Sequence, residues 1–389
     1  MVIKPIIQIY PVGENLHTAY QSLVNYPPEG YSFVRPIKSK NYLFKLKKYN
    51  YIRRLYKLYI KIFKTTNFLE FAYKEDISDN VNLVYSLGGL YKGNKKFIVD
   101  LVDSPYSLSG YDYNLFIRNK KEIENYLMKN NCKAIICPHK TSLDFMKREF
   151  DKKIIKKFFL VKQATPIEEN LIKKDRKDTK INILFVGSIT NPNDFYIKGG
   201  LETIKSFLKI SEEYDVTLTI RCKIPLEIKK YLLGNKKILV LEEEMPRADI
   251  INLYKKADML LLPGHHYHLM VTLEAMSYQL PVVALNTYAF KDYIKDGYNG
   301  FLISPSNNFN FYKHESYPTN LRNHQFVSEI SNVDERVINE ICEKIKILIK
   351  DKKLRLKMGL NARKIIIKNF TIKKRNSALK RIFYKSLNS

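Results

Sequence analysis

Three residues in the second half of the chain have types and spacing suited to a phosphorylated ligand: Lys198, His266 and Glu274. Lys198 opens Lys198-Gly199-Gly200, shortly after the apolar run Leu184-Phe185-Val186 and its closing Gly187-Ser188. A glycine after a strand lets the backbone approach a ligand closely. A lysine at the start of the following helix neutralises phosphate where the helix amides already favour an anion. Plain turn chemistry gives the same pattern, so this spacing alone decides nothing. Further on, Ala257–Pro263 reads as a buried strand closed by Gly264, followed by His265-His266-Tyr267-His268. A helix beginning near Thr272 would aim its N–H groups beyond the strand ends, where open α/β sheets hold their ligands. Glu274, one turn in, would accept hydrogen bonds from a ribose diol, or else stabilise the helix dipole. The histidines have no second cluster to complete a metal site, so no metal is expected.

These residues need elements to hold them. Short β-branched or apolar runs alternate with helical stretches along the whole chain. Residues 6–12, 81–86, 96–103, 134–138 and 158–164 read as strands in the first half. In the second half, 181–189, 216–222, 237–241, 259–263, 281–285 and 300–304 do the same. Runs apolar on both faces, separated by helices, predict parallel sheets covered on both sides. Each half is therefore expected to be a doubly wound, Rossmann-like α/β domain, the two facing across a cleft. A polar, proline-containing seam at 165–180 divides them, and 307–331 reads as an irregular surface loop.

Composition narrows the class. The chain has 389 residues, 45% of them hydrophobic, which excludes a disordered chain and leaves material for two cores. No apolar stretch approaches the length of a membrane span, and the N-terminus lacks a signal-peptide pattern. A cytoplasmic protein is expected. The four cysteines form no CxxC pair, and reduced, buried thiols are the expectation. The net charge is +28. Most of it comes from two acid-free segments, with eleven bases between Glu29 and Glu70 and thirteen after Asp351.

The ordered text ADMLLLPG…TLEAMSYQLPVVALN…DYIKDGYNGFLI resembles the donor-binding domain of GT-B fold glycosyltransferases, specifically glycosyltransferase family 4. The likeness extends back through ILFVGSI…KGGLETIKSF and forward through LRLKMGLNARKIIIKNFT. It implies a nucleoside-diphosphate sugar as co-substrate, transfer with retention to a glycan or lipid-linked acceptor, and no cofactor. The implied layout is an acceptor-side domain at 1–165, a linker at 166–180 and a nucleotide-sugar domain at 181–365. A C-terminal helix at 366–389 crosses back to the first domain. By the same resemblance Lys198 binds the diphosphate, Glu274 holds the ribose and Gly13 closes over the donor. Gly187, Ser188, Gly264 and Thr272 would complete the donor site.

The chain also departs from the family. The first glutamate of its E-x7-E motif is His266 counting back from Glu274, or Tyr267 counting forward from Pro263. The arginine after the strand glycine is Ser188, and the histidine ahead of Asp103 is Val102. His266 and Lys198 are the catalytic candidates, His266 as a donor to a sugar hydroxyl or the leaving phosphate. The rival reading is a non-catalytic nucleotide- or glycan-binding relative. An epimerase on the same scaffold is a third.

Residues 45–64 carry apolar residues at three- and four-residue steps with Lys and Arg between them. Such a helix suits an anionic membrane surface, or packs on a sheet and solvates its lysines. By the GT-B resemblance 352–385 would end beside it, which implies a peripheral, membrane-proximal enzyme. No zinc-finger spacing, RNP-type strand or GXXG clamp appears, so nucleic acid is not an expected partner.

Overall fold

The computed structural model describes residues 4–10, 18–34, 77–169, 171, 180–189, 191–232, 234–266, 268–306, 312–313, 317–318 and 324–389. Two compact units emerge, one of residues 1–161 with 376–389 and the other of residues 162–375. Gly13, Tyr267, the basic segment 45–64 and most of the seam lie outside the described residues.

The first unit holds a six-stranded parallel sheet built from β1 (Ile6–Tyr10), β2 (Ser32–Val34), β3 (Leu83–Leu87), β4 (Phe97–Asp100), β5 (Cys132–Cys137) and β6 (Phe158–Leu160). Their order is β2-β1-β3-β4-β5-β6. Every residue of β4 is buried, as a strand covered on both faces requires. The helix Ile372–Asn388 contributes its residues from Asn376 onward to this unit. There Phe383, fully buried, meets the rings of Tyr31, Phe33 and Tyr85. Asn376 donates to the carbonyl of Tyr26, and Lys380 pairs with Glu29 at 2.9 Å.

The second unit repeats the plan with β7 (Ile181–Val186), β8 (Val216–Arg221), β9 (Ile238–Leu241), β10 (Met259–Leu262), β11 (Val282–Leu285) and β12 (Gly300–Ile303). All pair in parallel, in the order β12-β11-β10-β7-β8-β9. The chain leaves β7 in one direction to β8 and β9, then returns on the other side to β10. That reversal opens a crevice at the carboxyl ends of β7 and β10, where doubly wound sheets bind ligands. The helix Glu335–Lys350 covers this sheet with Val337, Ile338, Ile341, Ile345 and Leu348, spaced for one helix face. Asp334 caps it by accepting from the Arg336 N–H at 2.9 Å.

Each of the eleven strands expected from the sequence has its counterpart. The one further strand of the two six-stranded sheets, β2, is a three-residue, half-buried edge strand. The stretch 307–331, expected to be irregular, contains a short antiparallel pair, Tyr312–Lys313 with Tyr317–Pro318, and the helix His324–Ile330, whose Phe326 and Ile330 are fully buried. All four cysteines are free and buried.

The basic segment 352–385 is not one continuous cationic face, because three of its arginines turn inward. Arg355 is buried and donates to the carbonyl of Leu348, one of those left without partners at the end of the preceding helix. Arg363 donates to the carbonyls of Ser277 and Glu168, and Arg375 is also buried. Ten of its bases remain exposed.

Candidate functional site

At the end of β7, Gly187 sits against the end of β8. A Cβ there would lie 2.2 Å from Cys222 Sγ, so the position admits no side chain. Arg221 donates to the Gly187 carbonyl at 3.3 Å, and Lys223 N–H donates to the Ser188 carbonyl at 2.9 Å. The chain then forms a short helix, Asp194–Ile197, before Lys198 and Gly199. Gly199 has φ 78°, in the left-handed region, and its missing Cβ would lie 2.1 Å from the Pro263 carbonyl oxygen. The Lys198 turn is thus pressed onto the end of β10. His265 N–H fastens it by donating to the Ile197 carbonyl at 2.9 Å. Gly199→Ala is expected to lower unfolding stability by about 2 kcal/mol through clash and backbone strain. Denaturant melts of the two proteins check this.

Beyond the turn, the helix Gly200–Glu213 places Glu202 on its buried face. Glu202 Oε1 lies 2.7 Å from His265 Nε2, both side chains 2% exposed. His266 is buried as well, its ring centroid 5.8 Å from that of His268 in an edge-to-face arrangement. His268 Nε2 has no hydrogen-bond partner among the described residues. Removal from water pushes the His268 pKa well down, and the positive charges of Lys198 and His266 push it further. Its imidazole is therefore neutral at pH 7. The Lys198 ammonium is likewise lowered, first by burial; Cys222 and Asp194 oppose the shift and Arg221 adds to it. A desolvated cation beside Arg221 and the amino end of a helix is an arrangement that an anion relieves.

The second cluster is centred on Glu274, in the helix Leu269–Ser277. That helix starts three residues earlier than expected, with His268 as its cap, so Glu274 lies in the second turn. The Thr272 hydroxyl donates to the His268 carbonyl at 2.8 Å and serves the helix start. Glu274 is 6% exposed. Its Oε1 pairs with Arg247 at 2.7 Å, and its Oε2 accepts from the Tyr254 hydroxyl at 3.1 Å. Tyr254 in turn stacks on Tyr278, with rings parallel and centroids 5.8 Å apart. Each carboxylate oxygen keeps a second acceptor site, so a diol can still donate to it. Arg221 lies close enough to Tyr254 and to Lys198 to act on the titration of both, and so links the clusters. Gly264 completes the loop after β10. A Cβ there would approach the His266 carbonyl to 2.7 Å, and its own carbonyl accepts from the buried Thr287 hydroxyl.

Residues 166–314 match the family model described as glycosyl transferases group 1. Over that stretch the chain is similar to group 1 glycosyltransferases, and the fold is GT-B. Among solved structures, WaaG, titled a glycosyltransferase involved in lipopolysaccharide biosynthesis, superposes with a TM-score of 0.58 at 15% identity. The match covers 97% of this chain and 99% of that one. Anabaena HepE, solved with UDP and glucose, matches with TM-score 0.58 at 13% identity over 98% and 100% of the two chains. A glycosyltransferase from Rickettsia africae ESF-5 gives 0.57 at 15% identity, covering 100% of both. Against TarM the TM-score is 0.54 at 16% identity, and this chain spans only 55% of that protein's length. No curated protein matches the sequence.

Of the expected site residues, Gly187, Ser188, Lys198, Gly264 and His266 converge on the carboxyl ends of β7 and β10, with Glu274 joined through Tyr254 and Arg221. Glu202, Arg221, Arg247 and Tyr254 are additions that the GT-B structure supplies. Arg221 had a legible signal, a charge closing the buried run Val216–Ile220. Glu202 had one as well, the one acid on a helix face that also buries Ile204, Phe207 and Ile210. Among the described residues no group of three or more His, Cys, Asp or Glu could hold a metal ion. None of the described helices is long and apolar enough to cross a membrane.

The first unit carries its own strained element at the carboxyl end of β4. Asp100 accepts from the Tyr85 hydroxyl at 2.6 Å and from Val102 N–H at 2.8 Å. Val102 holds φ 62°, a conformation that β-branched residues rarely adopt. Burial raises Asp100 to about 6 and Asp103 to about 7, against hydrogen bonds that favour the charged forms.

Proposed function

We propose that the protein transfers a sugar from a nucleoside-diphosphate sugar to a glycan or lipid-linked acceptor, with retention at the anomeric carbon. The observation that carries this is the desolvated Lys198, held with Arg221 at the switch point of a sheet belonging to the group 1 family. In the reaction the bond between the anomeric carbon and the diphosphate oxygen breaks. The acceptor oxygen takes its place, and the acceptor proton leaves with the diphosphate. Lys198 and Arg221 balance the negative charge that grows on the leaving group, the dominant electrostatic task in a site drained of water. His266 donates to a phosphate or sugar oxygen, and Glu274 accepts from the ribose. No carboxylate stands at position 266 to form a covalent sugar intermediate. Retention then fits attack from the face the diphosphate leaves, with the diphosphate taking the proton.

UDP leads the panel of candidate donors because HepE was solved with UDP and glucose. WaaG's part in lipopolysaccharide biosynthesis makes a lipid-linked glycan the acceptor class put forward, by analogy of fold. The protein would then work as a peripheral enzyme on the cytoplasmic face of an anionic membrane.

A thermal-shift panel of UDP, GDP and ADP with their sugars tests this. One nucleotide should raise the melting temperature by several degrees, as ligand linkage requires, and its sugar form should be hydrolysed slowly. Glu274→Gln should remove most of the shift. Stabilisation without hydrolysis or transfer would instead favour a nucleotide-binding relative that does no chemistry, the reading that His266 in place of a glutamate supports. If no nucleotide stabilises the protein, both readings fail.

A further inference from the structure

The first unit contains a cavity of about 490 Å³ lined by Lys133, Lys153, Lys156, Lys157 and Lys385, with no Asp or Glu side chain in its wall. It lies at the amino-terminal end of β5, where Cys132 and Lys133 begin the strand, against the helix Lys152–Ile155 and the C-terminal helix. Ligands of a parallel α/β sheet bind at the opposite, carboxyl end. None of the five lysines has an ion-pair partner among the described residues, although salt bridges occur elsewhere in this unit. Lys157 is half-buried, and its ammonium is fixed by donating to the carbonyls of Leu127 and Lys129, both at 2.9 Å. The buried Ile154 and Ile382 give the cavity an apolar part.

Five like charges facing one cavity repel each other, most strongly around the half-buried Lys133 and Lys157, while Lys153, Lys156 and Lys385 stand exposed at its mouth. Burial is the first cause that lowers the Lys157 pKa, and the charges of Lys133 and Lys156 contribute to it. A ligand with several negative oxygens would reverse that repulsion with charge-assisted hydrogen bonds. Such clusters of lysine serve as point-charge binders of phosphate.

We infer that this cavity is a binding site for a phosphate-bearing ligand, separate from the site at the carboxyl ends of β7 and β10. The phosphate can belong to a lipid headgroup or to a soluble ester, and the two sources are separable by experiment. Pyrophosphate binding is measured by calorimetry on full-length protein carrying Lys198→Gln, so that the donor site does not contribute. The comparison protein adds Lys133→Gln, Lys156→Gln and Lys385→Gln and keeps Lys157, which holds two backbone carbonyls. In parallel, both proteins are sedimented with phosphatidylglycerol and with phosphatidylcholine vesicles. About tenfold weaker pyrophosphate binding in the comparison protein, and affinity that falls with added salt, is the expected result for a soluble phosphate. A loss confined to phosphatidylglycerol vesicles assigns the site to a lipid headgroup. Arginine at the three positions should restore whichever binding was lost. Equal pyrophosphate affinity and equal vesicle binding in the two proteins would overturn the proposal.

Discussion

Replacing Lys198 with Gln is expected to reduce sugar transfer by about 10²–10³-fold, while the melting temperature holds or rises. The two effects have one origin. The Lys198 ammonium is drawn away from water and shares its surroundings with Arg221, so its folded-state pKa lies below the unfolded one. The unfolded chain therefore holds this proton more tightly. The charged lysine thus disfavours folding, and the penalty fades as pH rises toward the lysine range. Glutamine removes that penalty. In the proposed transition state the balance reverses, because a departing diphosphate would supply the negative charge the site lacks. A group that destabilises the fold and accelerates the reaction is the usual exchange of stability for function. Steady-state kinetics and melts of the same two proteins check it. Transfer within threefold of the original would remove Lys198 from the reaction, and a lower melting temperature would assign it a structural role.

Much of this was legible in the sequence, for identifiable reasons. Runs such as Leu260-Leu261-Leu262 and Val282-Val283-Ala284 are buried on both faces, and such runs show their strands in composition alone. Ser32–Val34 is a half-buried edge strand and leaves no comparable trace. Glycines pointed to the candidate site, since Gly187 at the end of β7 and Gly199 at the helix start stand where sulfur or backbone leaves no room for a Cβ. Lys198 could then be placed by its distance from a strand. The partners of Glu274 could not, because Arg247 and Tyr254 reach it from a helix 20 residues or more earlier, and no spacing rule governs such a contact. The start of the Glu274 helix was misread for a simpler reason. Thr272 has the chemistry of a cap, but the cap is His268, and Thr272 bonds back to its carbonyl. The inward-turned Arg355 and Arg363 show a similar limit, since a basic helix reads the same whether its arginines face solvent or backbone carbonyls.

Between pH 5 and pH 8 the wild-type protein is expected to lose on the order of 3 kcal/mol of stability through Asp103, and Asp103→Asn should remove most of that loss. The native carboxyl is raised to about 7 by burial, which the hydrogen bonds of Ser104 only partly offset and the neighbouring Asp100 reinforces. An unfolded aspartate titrates near 3.9. In this window the folded protein binds more protons than the unfolded chain, so stability falls as pH rises. It is fully present below the unfolded pKa and lost by the time pH passes the folded value. Asparagine has nearly the same shape and no charge to bury, so only the shallower slope from Asp100 should remain in its melting temperature. The wild type should fall by roughly 5–10 °C, given the sensitivity of a domain this size. Asp100, raised to about 6 and held by Tyr85 and Val102 N–H, adds a shallower slope that both proteins share. Parallel pH profiles for the two proteins would show that Asp103 remains solvated. A steeper slope in the wild type would establish a desolvated acid, half-charged near neutrality, beside the strained Val102 at the carboxyl end of β4. A carboxyl tuned to that range is fitted to exchange a proton with a hydroxyl, which makes Asp103 the residue of the first unit to examine next in acceptor kinetics.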